Sequence, residues 1–182
     1  MKNFVFLADG FEEVEALATI DVMRRAEMDV TTVSISADLV VTGAHGVKVC
    51  ADALLQDVDS ADADWLILPG GMPGATNLVN CEPLCAWLQR HHAAGGHVAA
   101  ICASPSVVLA PLGILDGKKA TCYPGMEQDG FGAEWVPEMA VTDGNVVTGR
   151  GPAAALDFGL AIVSCALGME SALDVATGML KV

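Results

Sequence analysis

Three short apolar runs constrain this chain more than any other feature: FVFLA within Lys2 to Ala8, WLIL at Trp65 to Leu68, and VAAI within His97 to Ile101. Each is too short for an ordinary helix and shows no polar alternation, so each reads as a strand buried on both faces. Each also stops abruptly, at Asp9-Gly10, at Pro69-Gly70-Gly71 and at Cys102-Ala103-Ser104. Helical patterns are expected over Phe11 to Ala26, Glu82 to Ala94 and Ser104 to Leu112. Val30 to Ile35 reads as a further strand, which makes the opening segment a βαβ unit. Strands alternating with helices predict an α/β fold, a three-layer α/β/α sandwich around a mainly parallel sheet. Its core must be aliphatic, because 53% of residues are hydrophobic and only 5% aromatic.

The remaining pattern is compatible with that layout. Leu39 to Val49 alternates around Gly43 and Gly46 and reads as a short hairpin. Asp52 to Asp64 is acidic and turn-rich. Residues 117–149 hold two or three strands. Pro152 to Leu167 is expected to be a long helix with Pro in its first turn, and Glu170 to Met179 a last short one. There is no repeat or linker, so one domain over residues 1–182 is expected.

Charge narrows the function classes. Nine Lys+Arg against 23 Asp+Glu leave a formal net charge of -14. Such a surface repels nucleic acid and anionic membranes. The start, MKNFVFLADGFEEVEA, lacks the form of a signal peptide, and no apolar stretch has the length of a membrane span. A cytoplasmic location is the expectation, and with it reduced thiols for Cys50, Cys81, Cys85, Cys102, Cys122 and Cys165. Cys81 and Cys85 share a helical face, but nothing completes a metal set with them. No metal and no cofactor are expected.

Chemistry concentrates at Cys102, where an apolar strand meets a turn of small residues and then a helix. That is the layout of a nucleophile elbow. A helix N-terminus there would stabilise a thiolate, and exposure would make it reactive. By itself Cys102 fits a buried core thiol equally well. The loop LPGGMPGA also leaves a strand end, so the N–H groups of Gly71 and Ala103 could form an oxyanion hole. Taken alone, Gly70-Gly71 reads better as an ordinary Gly-rich strand-end turn. Glu15 sits among Val14, Ala16 and Leu17. Desolvated, it would hold its proton and donate to a thiolate; otherwise it is a helix acid like Glu12 and Glu13. His97 begins the strand that Cys102 ends, about 16 Å away. His91 and His92 read as solvated, so only His45 could approach the site. A general base for Cys102 is not evident.

Together, ADGFEEVEA, IDVMRRA, HGVKVCAD, LPGGMPGA, AAICASP, KKATCYPG and TGRGPAAALDFGLAIV resemble the ThiJ/PfpI superfamily, in the branch of the parkinsonism-associated deglycase, over nearly the whole chain. The resemblance implies a flavodoxin-like sandwich and a homodimer. It implies that Cys102 is an oxidation-prone thiolate, Glu15 its protonated partner, and Gly71 and Ala103 the oxyanion donors. Gly70, Tyr123, His45, Arg150, Gly151 and Pro152 would line the site. Some relatives carry a His where Tyr123 stands, which argues against a cysteine peptidase, and several carry an Arg where His45 stands. The implied activity is cofactor-independent conversion of a reactive small-molecule carbonyl or a glycated protein, glyoxalase III-like or deglycase-like, in oxidative or carbonyl stress. The alternative is a redox sensor or chaperone that uses oxidation of Cys102. Asp21, Met23, Arg24 and Arg25 are expected at the dimer edge, with His45 near the partner's site.

Overall fold

The computed structural model describes residues 2–181. A seven-stranded sheet contains β1 (Lys2–Leu7), β2 (Val30–Ser34), β5 (Ala53–Leu54), β6 (Ala63–Leu68), β7 (His97–Ile101), β10 (Ala140–Asp143) and β11 (Val146–Gly149). Its order is β10-β11-β7-β6-β1-β2-β5. Every pairing is parallel except β10 with β11. The hairpin expected at 39–49 forms as β3 (Val40–Thr42) against β4 (Lys48–Cys50). β8 (Lys119–Ala120) and β9 (Glu134–Trp135) make a separate short pair.

Alternation along the strands builds two cores. Val5 and Leu7 of β1 face one side, with Trp65, Ile67, Ala99 and Ile101. That side is covered by α1 (Glu13–Arg25), α4 (Ala155–Leu167) and α5 (Met169–Gly178). Phe4 and Phe6 face the other side, with Leu66, Leu68, Val98 and Ala100. There α2 (Gly74–Val79) and α3 (Glu82–Ala93) cover the sheet. Trp87 of α3 packs 5.4 Å, ring centre to ring centre, from both Phe4 and Phe6. Burial on both faces is why these strands carry unbroken apolar runs. The result is the α/β sandwich that the pattern predicts.

The departures are local. Ser104 to Leu112 does not form an ordinary α-helix; Pro105–Leu109 is one π-helical segment, closed by the Ala110 N–H on the Pro105 carbonyl at 2.9 Å. Residues 117–149 hold four strands rather than two or three, two of them only two residues long. Pro152–Ala154 is a 3₁₀ turn that precedes α4. The short α2 and β5 carry too few residues for a periodicity to register.

The topology places the chemistry. From β1 the chain moves outward to β2 and β5, then returns to the other side of β1 for β6, β7 and β11. A crevice opens at such a switch point, beyond the strands' carboxyl ends. The loops after β1, β6 and β7 meet there, with the β6 loop between the other two.

Candidate active site

Cys102 follows the last residue of β7 and adopts φ 65. A non-glycine residue in the left-handed region is strained and is held by its surroundings. Its N–H donates to the Gly149 carbonyl and its carbonyl accepts the Tyr123 N–H, both at 2.9 Å. These bonds fasten the elbow to β11 on one side and to the segment after β8 on the other. Ser104 Oγ donates to the Pro69 carbonyl at 2.5 Å, which ties the elbow to the glycine loop. Sequence reasoning valued Ser104 only for its small size; a buried hydroxyl needs a partner, and that need was the available signal.

Glu15 lies on α1 two residues past its start and is 0% exposed. Its Oε2 accepts the Gly70 N–H at 2.8 Å. Oε1 is buried without a hydrogen-bond partner of ordinary geometry. Gly70 is the wedge between the two functional side chains. A Cβ there would stand 2.6 Å from the Cys102 Cβ and 2.7 Å from Glu15 Oε2. Only a residue without a side chain lets the carboxyl and the thiol approach from both sides. Gly71 adopts φ +89, which turns the loop, and its N–H and that of Ala103 are directed at Cys102.

The two groups perturb one another. Burial, with a smaller contribution from the Glu12 charge, pushes the Glu15 carboxyl up to about 7 against the opposing pull of Cys102 and the Gly70 N–H. Burial, followed by the charge and hydrogen bonding of Glu15, pushes the Cys102 thiol up to about 12 against the N–H groups of Gly71 and Ala103. Cys102 is only 8% exposed. The exposed, helix-lowered thiol expected from sequence is therefore corrected. The following helical segment is short, and desolvation outweighs its N–H groups. Groups this close titrate as a pair, so the carboxyl and thiol together lose one proton near neutrality and keep the other well above it.

The outer residues separate into two sets. Tyr123, half exposed, joins Arg150, Gly151 and Pro152 around a cavity of about 240 Å³. Tyr123's backbone bond to Cys102 sets that cavity beside the elbow. His45 does not turn to Cys102. Its ring is 74% exposed and engages Glu13 and Glu12. Glu13, expected to be a partly exposed helix acid, is buried. Burial favours its neutral form, but the His45 ring and the backbone N–H groups reverse this and bring the carboxyl down to about 2. Arg24 and Arg25, expected at a dimer edge, pair within the chain, with Asp52 at 3.0 Å and Asp21 at 2.7 Å.

A mainly parallel sandwich with a left-handed cysteine at a strand's carboxyl end, beside a buried glutamate, defines an α/β protein of the nucleophile-elbow class. The chain belongs to the DJ-1/PfpI family, whose model matches residues 1–165. It is 40% identical to Protein DJ-1 homolog B of Arabidopsis thaliana over 96% of its length, but covers only 40% of that longer protein. It is 35% identical to the Parkinson disease protein 7 homolog of Danio rerio, covering 96% of this chain and 94% of that one. A protein of Pyrococcus abyssi named a deglycase is 32% identical, over 84% of this chain and 91% of that one. Among solved structures, oxidized DJ-1 of Toxoplasma gondii superposes with a TM-score of 0.92 at 35% identity, covering 98% of this chain and 97% of that one. No helix among the described residues is long and apolar enough to cross a membrane.

Proposed function

We propose that the chain converts a reactive carbonyl, of the 2-oxoaldehyde class or its early adduct on a protein, by covalent catalysis at Cys102. The observation that carries this reading is the fully buried Glu15, raised to about 7, facing a left-handed cysteine across Gly70. The single proton the pair holds at neutrality rests on Glu15 in the reactive form, and the N–H groups of Gly71 and Ala103 hold the thiolate. The sulfur attacks the aldehyde carbon. A C–S bond forms, the carbonyl π pair moves to oxygen, and the Glu15 proton neutralises it to a hemithioacetal. The Glu15 carboxylate then takes the proton from that carbon and returns it to the neighbouring one, while the hydroxyl proton of the hemithioacetal passes to the neighbouring oxygen, which gives the thioester of a 2-hydroxy acid. Water cleaves the thioester, releasing a 2-hydroxy acid and the thiol. The net change is addition of one water, with no external oxidant. Each donor to a developing oxyanion contributes about 10²–10³-fold.

The cavity bounded by Tyr123, Arg150, Gly151 and Pro152 would hold the rest of the substrate. A deglycase among the relatives supports the carbonyl class. Methylglyoxal consumption with product analysis tests this reading: wild type should turn over, and Cys102→Ser should retain no more than background. Equal activity in both would end it.

A second reading rests on the same unpartnered Glu15 Oε1, which offers a hydrogen bond to an oxidised sulfur; a relative was solved in an oxidized form. In that reading peroxide adds oxygen to Cys102 and no carbonyl turnover accompanies it. The homodimer belongs to the proposal as well. With Arg24 and Arg25 engaged in their own chain, exposed Val14 and Leu17 of α1, beside exposed Val40 and Val47 of the adjoining hairpin, would form its apolar contact.

A further inference from the structure

Glu12, Glu13 and His45 converge at the start of α1, apart from Cys102. Both glutamates are only 7% exposed. Backbone donors occupy one oxygen of each. Glu12 Oε1 accepts the Val14 N–H at 3.1 Å. Glu13 Oε1 accepts those of His45 at 2.7 Å and Val47 at 3.3 Å. The two Oε2 atoms then face one ring nitrogen, with His45 Nδ1 2.9 Å from Glu13 and 3.2 Å from Glu12. Nδ1 carries at most one proton, and a proton serves one acceptor well. Among the described residues no lysine or arginine pairs with either glutamate. The other ionisable group facing them is Glu15, which Glu12 acts on and which adds no positive charge.

A cation at the meeting point of these three atoms would satisfy both carboxylates at once. The three lie within 4.8 Å of one another. In a tetrahedral site with bonds of about 2.0–2.1 Å, neighbouring ligand atoms stand about 3.3 Å apart. The two separations to Nδ1 are already close to that edge. One imidazole and two carboxylates suit a borderline divalent ion better than a soft monovalent one. Within one protomer the exposed ring leaves the fourth position open to water.

We propose that Glu12 Oε2, Glu13 Oε2 and His45 Nδ1 form a binding site for one divalent transition-metal ion of the zinc type, with water completing the shell. The ion displaces the Nδ1 proton to solvent, so affinity tightens as pH rises. The site is independent of thiol chemistry and abuts the catalytic loop through the Glu12 N–H, which donates to the Gly70 carbonyl at 2.9 Å.

The test uses the full-length chain, with Zn²⁺ in competition with a chromophoric chelator and Co²⁺ as spectroscopic probe. Wild type should bind one equivalent and show tetrahedral d–d absorption without a thiolate charge-transfer band. His45→Ala, at an exposed ring, and Glu12→Gln should each weaken binding at least about tenfold, with far-UV circular dichroism unchanged. Glu12→Gln retains the Oε1 acceptor for Val14 and so keeps the helix cap. The proposal is overturned by any of three results: no stoichiometric binding by wild type, unchanged affinity in either variant, or a thiolate band that moves the ion to cysteine.

Discussion

Replacing Glu15 with glutamine separates a buried neutral acid from an ordinary helix glutamate, and the separation is read in stability against pH. The folded carboxyl releases its proton at about 7, the unfolded one at its ordinary value of 4.5. Between those values the folded chain holds a proton that the unfolded chain has lost, so stability falls as pH rises. It is flat below the lower value and above the upper one. At about 1.4 kcal/mol per pH unit, the difference amounts to about 3 kcal/mol. Glutamine keeps an acceptor for the Gly70 N–H and has no proton to lose. The stability of Glu15→Gln minus that of wild type should therefore rise by about 3 kcal/mol between about pH 4.5 and about pH 8, because titrations that do not interact with Glu15 cancel in the difference. Urea unfolding across that range measures it, with unchanged m-values as the control for compactness. Repeating the pair in a Cys102→Ser background removes the thiol's own titration. A difference that stays flat with pH would refute the argument, since Glu15 would then ionise as a solvated acid does. Carbonyl turnover by Glu15→Gln should fall about 100-fold or more, as for loss of a positioned proton carrier.

Gly70→Ala should lose both turnover and stability, by about 3 kcal/mol or more, because the new methyl meets Cys102, Glu15 and the Ile101 carbonyl at once; a normally folded, fully active variant in thermal and kinetic assays would refute the wedge. Glu13 acts with the opposite sign to Glu15. Its stabilisation is complete above 4.5 and is lost as pH falls through about 2, so wild type should lose more stability than Glu13→Gln in acid unfolding monitored by circular dichroism. Val14→Glu with Leu17→Glu should convert a dimer to monomer in analytical ultracentrifugation while each chain stays folded; an unchanged sedimentation coefficient would place the interface elsewhere.

What the sequence determined by itself was the set of features that local patterning controls. Unbroken apolar runs ending in Gly, Pro or small residues marked β1, β6 and β7, because a strand covered on both faces has no polar positions. The same junctions located Cys102 and Gly70-Gly71, because a sharp strand exit needs residues that tolerate it. Tertiary structure decided what those residues experience. Glu15 and Glu13 look alike in sequence, two positions apart on one helix. One is raised by burial beside Gly70, 55 residues away, and the other is held ionised by His45, 32 residues away. Arg24 looks like a free surface cation until Asp52, 28 residues on, is brought beside it. Cys102 looks exposed until the Gly149 and Tyr123 backbones close around it. Burial and charge pairing depend on which strands the topology makes neighbours, and the β7-β6-β1 order that sets Gly70 between Cys102 and Glu15 is a property of the folded sheet, not of any local stretch of residues.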